Sequence, residues 1–226
     1  MWLTTGVWFD IVEGAEHLNT RPAVFIGNHQ TELDILLLGA IFPQYCSVTA
    51  KKSLKYIPFL GWFMALSGTV FLDRANRTSA LQTMSGAVKE IKHGKQSVYL
   101  FPEGTRSYSS EPVMLPFKKG AFHLAQQAGV PIVPLVAENY SHVLSLKNRV
   151  FNAGNIRVKV LPPVSTENLT PDEINGVVQS TRDSMLKVLE DMYKTRDEYA
   201  KTGQHTKVET PVVTPNVTAT ASGVEM

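Results

Sequence analysis

Ala23-Val24-Phe25-Ile26-Gly27-Asn28-His29-Gln30-Thr31-Glu32-Leu33-Asp34-Ile35-Leu36-Leu37-Leu38 changes its structural grammar within one short stretch. Its first four residues are apolar and rich in β-branched and aromatic types, the composition of a buried strand, and Gly27 ends them. Thr31 and Asp34 have the spacing of a capping box in front of Ile35 to Leu38, so a helix is expected to start there. A strand feeding a helix through a short loop predicts an α/β fold. The same reading places two polar side chains. His29 and Asp34, five residues apart, would point in different directions around one ideal helix. They can meet if His29 hangs in the loop and Asp34 lies in the first helical turn.

Imidazole is the side chain whose ordinary titration lies nearest neutrality, and a carboxylate on one ring nitrogen fixes tautomer and orientation, the arrangement of a general base. The stretch taken alone fits equally well a capped helix with a hydrogen-bonded structural histidine. A second stretch, about seventy residues further on, changes the balance: Phe101-Pro102-Glu103-Gly104-Thr105-Arg106-Ser107. Gln96 to Phe101 read as a buried strand, Pro102 stops the ladder, and Gly104 frees the backbone to turn. Thr105 and Arg106 are then presented at a strand end, where open α/β sheets hold ligands. The planar guanidinium fork of Arg106 suits phosphate. Glu103 cannot bind phosphate directly and is expected to orient Arg106 or to accept from a substrate hydroxyl. By itself Glu-Gly-Thr-Arg also fits a tight surface turn with a solvated arginine.

Taken together these residues resemble the glycerophospholipid acyltransferase family, which carries an Asn-His-x-x-x-x-Asp block and a Phe-Pro-Glu-Gly-Thr-Arg-Ser block in this order. Gly68-Thr69-Val70-Phe71-Leu72-Asp73-Arg74 looks like its second motif and Val130-Pro131-Ile132-Val133-Pro134-Leu135 like its fourth. The resemblance runs from about Val7 to Met192. Val48 to Pro58, through Lys51, Lys52 and Lys55, looks most like the fungal 1-acylglycerol-3-phosphate acyltransferases. It implies the glycerolipid acyltransferase fold, a mixed central sheet with helices on both faces, and a reaction. His29, held by Asp34, would take the proton from the sn-2 hydroxyl of lysophosphatidic acid as that oxygen attacks the thioester of acyl-CoA, giving phosphatidic acid. Arg106 with Gly104 and Thr105, together with Arg74, would hold the acceptor phosphate, with Lys51 a further candidate and Glu103 beside them. Acyl-CoA enters as substrate, and no cofactor or metal is expected. The fourth block reads as core strand that shapes the acyl pocket. The endoplasmic reticulum membrane, with the domain facing the cytosol or bound peripherally, is inherited from the same resemblance. Other readings are an acyltransferase for another lysophospholipid, such as a lysocardiolipin, and a catalytically silent lipid-binding protein. A serine hydrolase lacks its Gly-x-Ser-x-Gly elbow here.

The remaining composition narrows the classes. A formal net charge of +2 gives nucleic-acid binding no support. The single Cys46 rules out an intramolecular disulfide and a cysteine-built zinc site, and the six histidines form no His-Glu-x-x-His pattern. Tyr56 to Leu72 contains no charged side chain and is interrupted by Pro58, Gly61 and Gly68. Its length is marginal for crossing a hydrocarbon core of about 30 Å. Part of it, Tyr56 to Phe63, is expected to lie in a membrane interface with the preceding lysines towards anionic headgroups and its remainder, from Gly68 on, to be a core strand, while buried helix plus strand fits the whole run equally well. The start, Met1 to Asp10, is too short to span and lacks the features of a signal peptide. Against relatives with an N-terminal anchor, this implies either a peripheral protein or a reading frame that opens downstream of the anchor.

Further on, Thr78 to His93 has the period of an amphipathic helix with Leu81, Met84, Val88 and Ile91 inward. Lys119 to Ala128 reads as helix, and Pro131 to Val136 and Ile156 to Leu161 as strands. Thr170-Pro171-Asp172-Glu173 opens a last helix that runs to about Arg196. One acyltransferase domain is therefore expected over residues 1–198. The tail, 199–226, dominated by Thr, Val, Pro, Ala and Ser, is expected to be disordered.

Overall fold

A computed structural model describes residues 5–72, 77–94, 96–167, 169, 170 and 172–196, so Asp73, Arg74 and the tail 199–226 lie outside the described residues. Its strands are β1 (Val7–Glu13), β2 (Val24–Gly27), β3 (Cys46–Lys51), β4 (Val70–Leu72), β5 (Ser97–Leu100), β6 (Ile132–Ala137), β7 (Leu144–Ser145), β8 (Val150–Phe151) and β9 (Gly154–Val160). The helices are α1 (Asp34–Ile41), α2 (Leu60–Leu66), α3 (Arg77–Gly94), α4 (Gly120–Ala128) and α5 (Glu173–Lys194). Among the described residues seven strands form one sheet in the order β1-β9-β6-β2-β5-β3-β4. Strands β6, β2, β5, β3 and β4 run parallel, and β9 is antiparallel to β6 and parallel to β1. The sheet is mixed, as the sequence predicts.

Alternation along the strands sends side chains to two separate cores, because successive residues of a strand face opposite sides. Val24, Ile26, Val98, Leu100, Ile132 and Val136 pack with Ala87 and Ile91 of α3, Phe122 and Leu124 of α4, and Met185 and Leu189 of α5. Phe25, Tyr99, Val133 and Leu135 turn the other way, against Leu37 and Ile41 of α1. Helices thus cover both faces. Helix α1 has only eight residues, too few to persist alone in water, so its stability comes from this burial. Met84 and Val88 of α3 are partly buried against the first core as expected, while the side chain of Leu81 lies outside the described residues.

Five parallel neighbours have their C-terminal ends at one edge of the sheet. The segments leaving β2, β5 and β6 there carry His29, Glu103 to Arg106, and Glu138 to Tyr140. Close packing beneath this edge fixes the last residue of β2: a Cβ on Gly27 would stand 1.9 Å from the Tyr99 hydroxyl oxygen. Tyr99 is fully buried and meets Phe101 edge to face, with centroids 5.2 Å apart.

Several expectations need correction. Strand β4 is not core: it lies at the sheet edge among the described residues, with Val70 and Phe71 half-buried. The Thr31 and Asp34 capping box forms only in part. Thr31 Oγ1 accepts from the Leu33 N–H at 3.2 Å, but the Asp34 carboxylate reaches past Thr31 to the Gln30 N–H at 2.7 Å. The box at Thr170 is complete: Glu173 Oε2 accepts from the Thr170 N–H at 2.7 Å, and Thr170 Oγ1 accepts from the Glu173 N–H at 3.4 Å. The hairpin β7–β8 has two-residue strands without readable periodicity, and the sequence reading missed it.

Candidate active site

The loop after β2 holds His29, and the first turn of α1 holds Asp34. Nδ1 of His29 stands 2.6 Å from Asp34 Oδ2. Asp34 is buried, and its carboxylate collects further donors: the Gln30 N–H at 2.7 Å on Oδ2 and the Tyr140 hydroxyl at 2.6 Å on Oδ1. An ionised carboxylate only accepts, so a neutral His29 carries its proton on Nδ1 and keeps Nε2 as the ring's acceptor. The ring lies on Phe101, with centroids 4.0 Å apart and planes 15° from parallel. It remains partly exposed.

Tyr140 comes from the segment after β6, more than a hundred residues from Asp34. Burial, and then the neighbouring Asp34 charge, push its phenol well above the ordinary range, so it stays a donor. Asn28 fixes the same junction from the other side. Its Nδ2 donates to the Ala137 carbonyl at 2.9 Å, and its Oδ1 accepts from the Ala137 N–H at 2.9 Å, as a neighbouring strand would. Gln30 Nε2 adds a bond to the Glu138 carbonyl at 2.8 Å. Beneath, Glu138 pairs with Arg157 of β9 in a buried ion pair at 2.7 Å.

The two motif loops touch directly. The Ser107 N–H donates to the His29 carbonyl at 3.0 Å and the Tyr108 N–H to the Gln30 carbonyl at 3.1 Å. Glu103 strengthens the junction, although it does not orient Arg106 as the sequence suggested. It is buried, with Oε1 accepting from the His29 N–H at 2.8 Å and Oε2 from the Leu115 N–H at 2.9 Å. Burial raises its carboxyl above the usual range, opposed in part by those two backbone donors. A side chain pointing inward cannot reach an arginine that points outward. Arg106 is partly exposed and pairs instead with Glu32 and with the Tyr108 hydroxyl, the latter at 2.6 Å.

Gly104 adopts a left-handed φ of 71°, and Thr105 is exposed beside it. The Lys118 side chain crosses this turn: a Cβ at Gly104 would stand 2.8 Å from its ammonium nitrogen. The turn therefore carries a second cation, which the sequence reading passed over, although Lys118-Lys119 ahead of the α4 start was the available signal. Lys51 ends β3, two strands from β2, roughly 10 Å away by strand spacing. It is exposed at the same sheet edge but is not brought against His29. Arg74 lies outside the described residues. Among the described residues no group of three His, Cys, Asp or Glu could hold a metal ion.

Residues 11–138 match the family model described as Acyltransferase. The chain belongs to the acyltransferase family. It is 50% identical over 201 residues to the 1-acyl-sn-glycerol-3-phosphate acyltransferase of Saccharomyces cerevisiae, covering 84% of this chain and 66% of that protein. To the alpha 1-acyl-sn-glycerol-3-phosphate acyltransferase of Homo sapiens it is 41% identical, covering 80% of this chain and 64% of the relative. The chain thus spans slightly less than two thirds of the length of these relatives. Among solved structures it is similar to the 1-acyl-sn-glycerophosphate acyltransferase PlsC of Thermotoga maritima, with a TM-score of 0.64 and 27% identity, covering 84% of this chain and 74% of that one.

Tyr140→Phe tests the support behind the histidine. It leaves Asp34 Oδ1 without its hydroxyl donor, and a lost bond to a charged group costs about 1.5–3 kcal/mol. The unfolding midpoint in urea should fall, and turnover should drop about tenfold as the carboxylate loses its fixed orientation. Unchanged stability and turnover would contradict this role for Tyr140.

Proposed function

We propose that this acyltransferase moves an acyl group from acyl-CoA to the sn-2 hydroxyl of lysophosphatidic acid. The observation that carries the proposal is the contact between the loop of the His29–Asp34 pair and the Glu103 to Tyr108 turn, a proton acceptor and a cationic turn joined by the Glu103 carboxylate and by the Ser107 and Tyr108 backbone N–H groups. Similarity to relatives named for this acceptor supports the choice of substrate.

The steps balance without a cofactor. His29 Nε2 takes the hydroxyl proton as the sn-2 oxygen bonds to the thioester carbonyl carbon. The carbon–sulfur bond then breaks, and the departing CoA sulfur takes the proton back. Because a thiolate leaves readily, no acyl-enzyme is needed. Arg106, with Thr105 and Lys118 on the turn that Gly104 makes possible, holds the acceptor phosphate, fixing the hydroxyl beside the base, where orientation contributes much of the rate. Asp34 holds the ring and stabilises the imidazolium that forms.

Lipid access suggests where the domain sits. After β3 the chain makes a tight turn over Lys52–Tyr56 and enters α2. Phe59, Trp62, Phe63 and Leu66 are 77%, 65%, 69% and 90% exposed. Such an apolar surface, beside Lys51 and Lys55 and starting at the sheet edge that carries His29, fits an anionic bilayer interface. No helix among the described residues is long and apolar enough to cross a membrane.

His29→Ala should keep its circular dichroism spectrum and lose at least about a hundredfold in free CoA released from oleoyl-CoA with lysophosphatidic acid. An active variant excludes the proposed base, and a wild-type preference for another lysophospholipid in the same assay overturns the acceptor. Trp62→Ser with Phe63→Ser should reduce cosedimentation with vesicles containing phosphatidic acid, while activity on detergent-dispersed acceptor persists. Undiminished vesicle binding would remove this surface from the account.

A further inference from the structure

Glu32 and Tyr108 lie outside the catalytic pair, yet they converge on the cation of the phosphate turn. Arg106 Nη1 donates to Glu32 Oε1 and, at 2.6 Å, to the Tyr108 hydroxyl oxygen, while that hydroxyl donates to the same Glu32 oxygen at 2.8 Å. The triangle uses both Nη1 protons and the phenolic proton. Arg106 keeps three donors, and among the described residues no acceptor meets Nε or Nη2. Those two nitrogens form the side edge of the guanidinium, a parallel fork matched to two phosphate oxygens.

We infer that Glu32 and Tyr108 clamp Arg106 by its Nη1 nitrogen so that its Nε and Nη2 edge stands ready for the acceptor phosphate. This inference rests on the phosphate-binding reading of Arg106 given above. Three observations support it. The pair is partly exposed on both sides, and such a pair adds little to stability, so holding the fold does not explain the arrangement. Tyr108 adopts a left-handed φ of 49°, costly for a bulky residue, and its N–H is tied to the Gln30 carbonyl. That backbone twist brings the hydroxyl to both partners. Glu32 belongs to the loop between His29 and Asp34, so the clamp fixes the phosphate-binding cation relative to the base. A long side chain already held loses less freedom when its ligand arrives, which strengthens binding without a new contact.

Glu32 and Tyr108 are thus positioning residues for the acceptor headgroup. The test compares Glu32→Ala, Glu32→Gln, Tyr108→Phe and Arg106→Ala in the full chain, with lysophosphatidic acid and oleoyl-CoA each varied. Glu32→Ala and Tyr108→Phe should each raise the KM for lysophosphatidic acid about tenfold, with kcat and the KM for oleoyl-CoA nearly unchanged. Glu32→Gln, which keeps the accepting oxygen, should recover part of that loss. In an Arg106→Ala background neither substitution should have any further effect. If Arg106→Ala raises the acceptor KM while Glu32→Ala and Tyr108→Phe leave it unchanged or lower it, the clamp is wrong and the phosphate role of Arg106 survives. If Arg106→Ala itself leaves the acceptor KM unchanged, the phosphate reading fails and the clamp with it. Loss of kcat with both KM values unaffected would make the contacts structural and overturn the proposal.

Discussion

Asp34 accepts from the His29 imidazole, the Gln30 backbone and the Tyr140 hydroxyl while buried at the first turn of a helix. Two of these partners are neighbours in the loop after β2, and the third comes from the segment after β6. The bond to His29 orients the ring, the bond to Gln30 shapes the loop that carries it, and the bond to Tyr140 ties both to the end of β6. The N-terminus of α1 adds the favourable end of its dipole. A buried carboxylate without such partners would carry a large desolvation cost. These three donors satisfy the buried carboxylate through one imidazole nitrogen and leave the other nitrogen of that ring outside the network.

The sheet order brings this local device against a second loop. Strand β2 lies between β6 and β5, so the segments that follow all three emerge side by side. Backbone bonds between His29 and Ser107 and between Gln30 and Tyr108 then join the base loop to the cationic turn. Glu103 bridges the His29 and Leu115 backbones from below, while Arg182 of α5 donates from Nε to the Leu115 carbonyl at 3.2 Å. The long loop between β5 and α4 is therefore anchored at several points. Such anchoring holds the cationic turn at a fixed position relative to the His29 ring, as the proposed function requires.

The fold and the contact between His29 and Asp34 were legible in the sequence because their signals are local. Strand, glycine, loop and helix follow one another within a few residues of His29, and loop-to-first-turn geometry was the arrangement that let His29 meet Asp34. Tyr140, Asn28 and Glu138 were not legible as site residues: their partners lie elsewhere in the chain, and polar side chains near strand ends read as ordinary turn residues. Glu103 was read in the wrong direction, since neighbouring charges in a sequence suggest pairing whereas a turn sends them to opposite sides. Glu32 carried no signal of its own, because its partner Arg106 lies more than seventy residues further along the chain. The apolar run after Lys55 fitted burial and interface alike, and only the fold shows that the rings of Trp62 and Phe63 in α2 are exposed rather than buried.

The central claim is that Asp34 holds His29 with its proton on Nδ1 and leaves Nε2 free. Long-range nitrogen–proton correlation spectra of protein labelled with 15N-histidine, with His29 assigned by its absence in His29→Ala, read this directly at a pH where the ring is neutral. The account predicts a protonated Nδ1 and a bare Nε2. The reverse tautomer would contradict it.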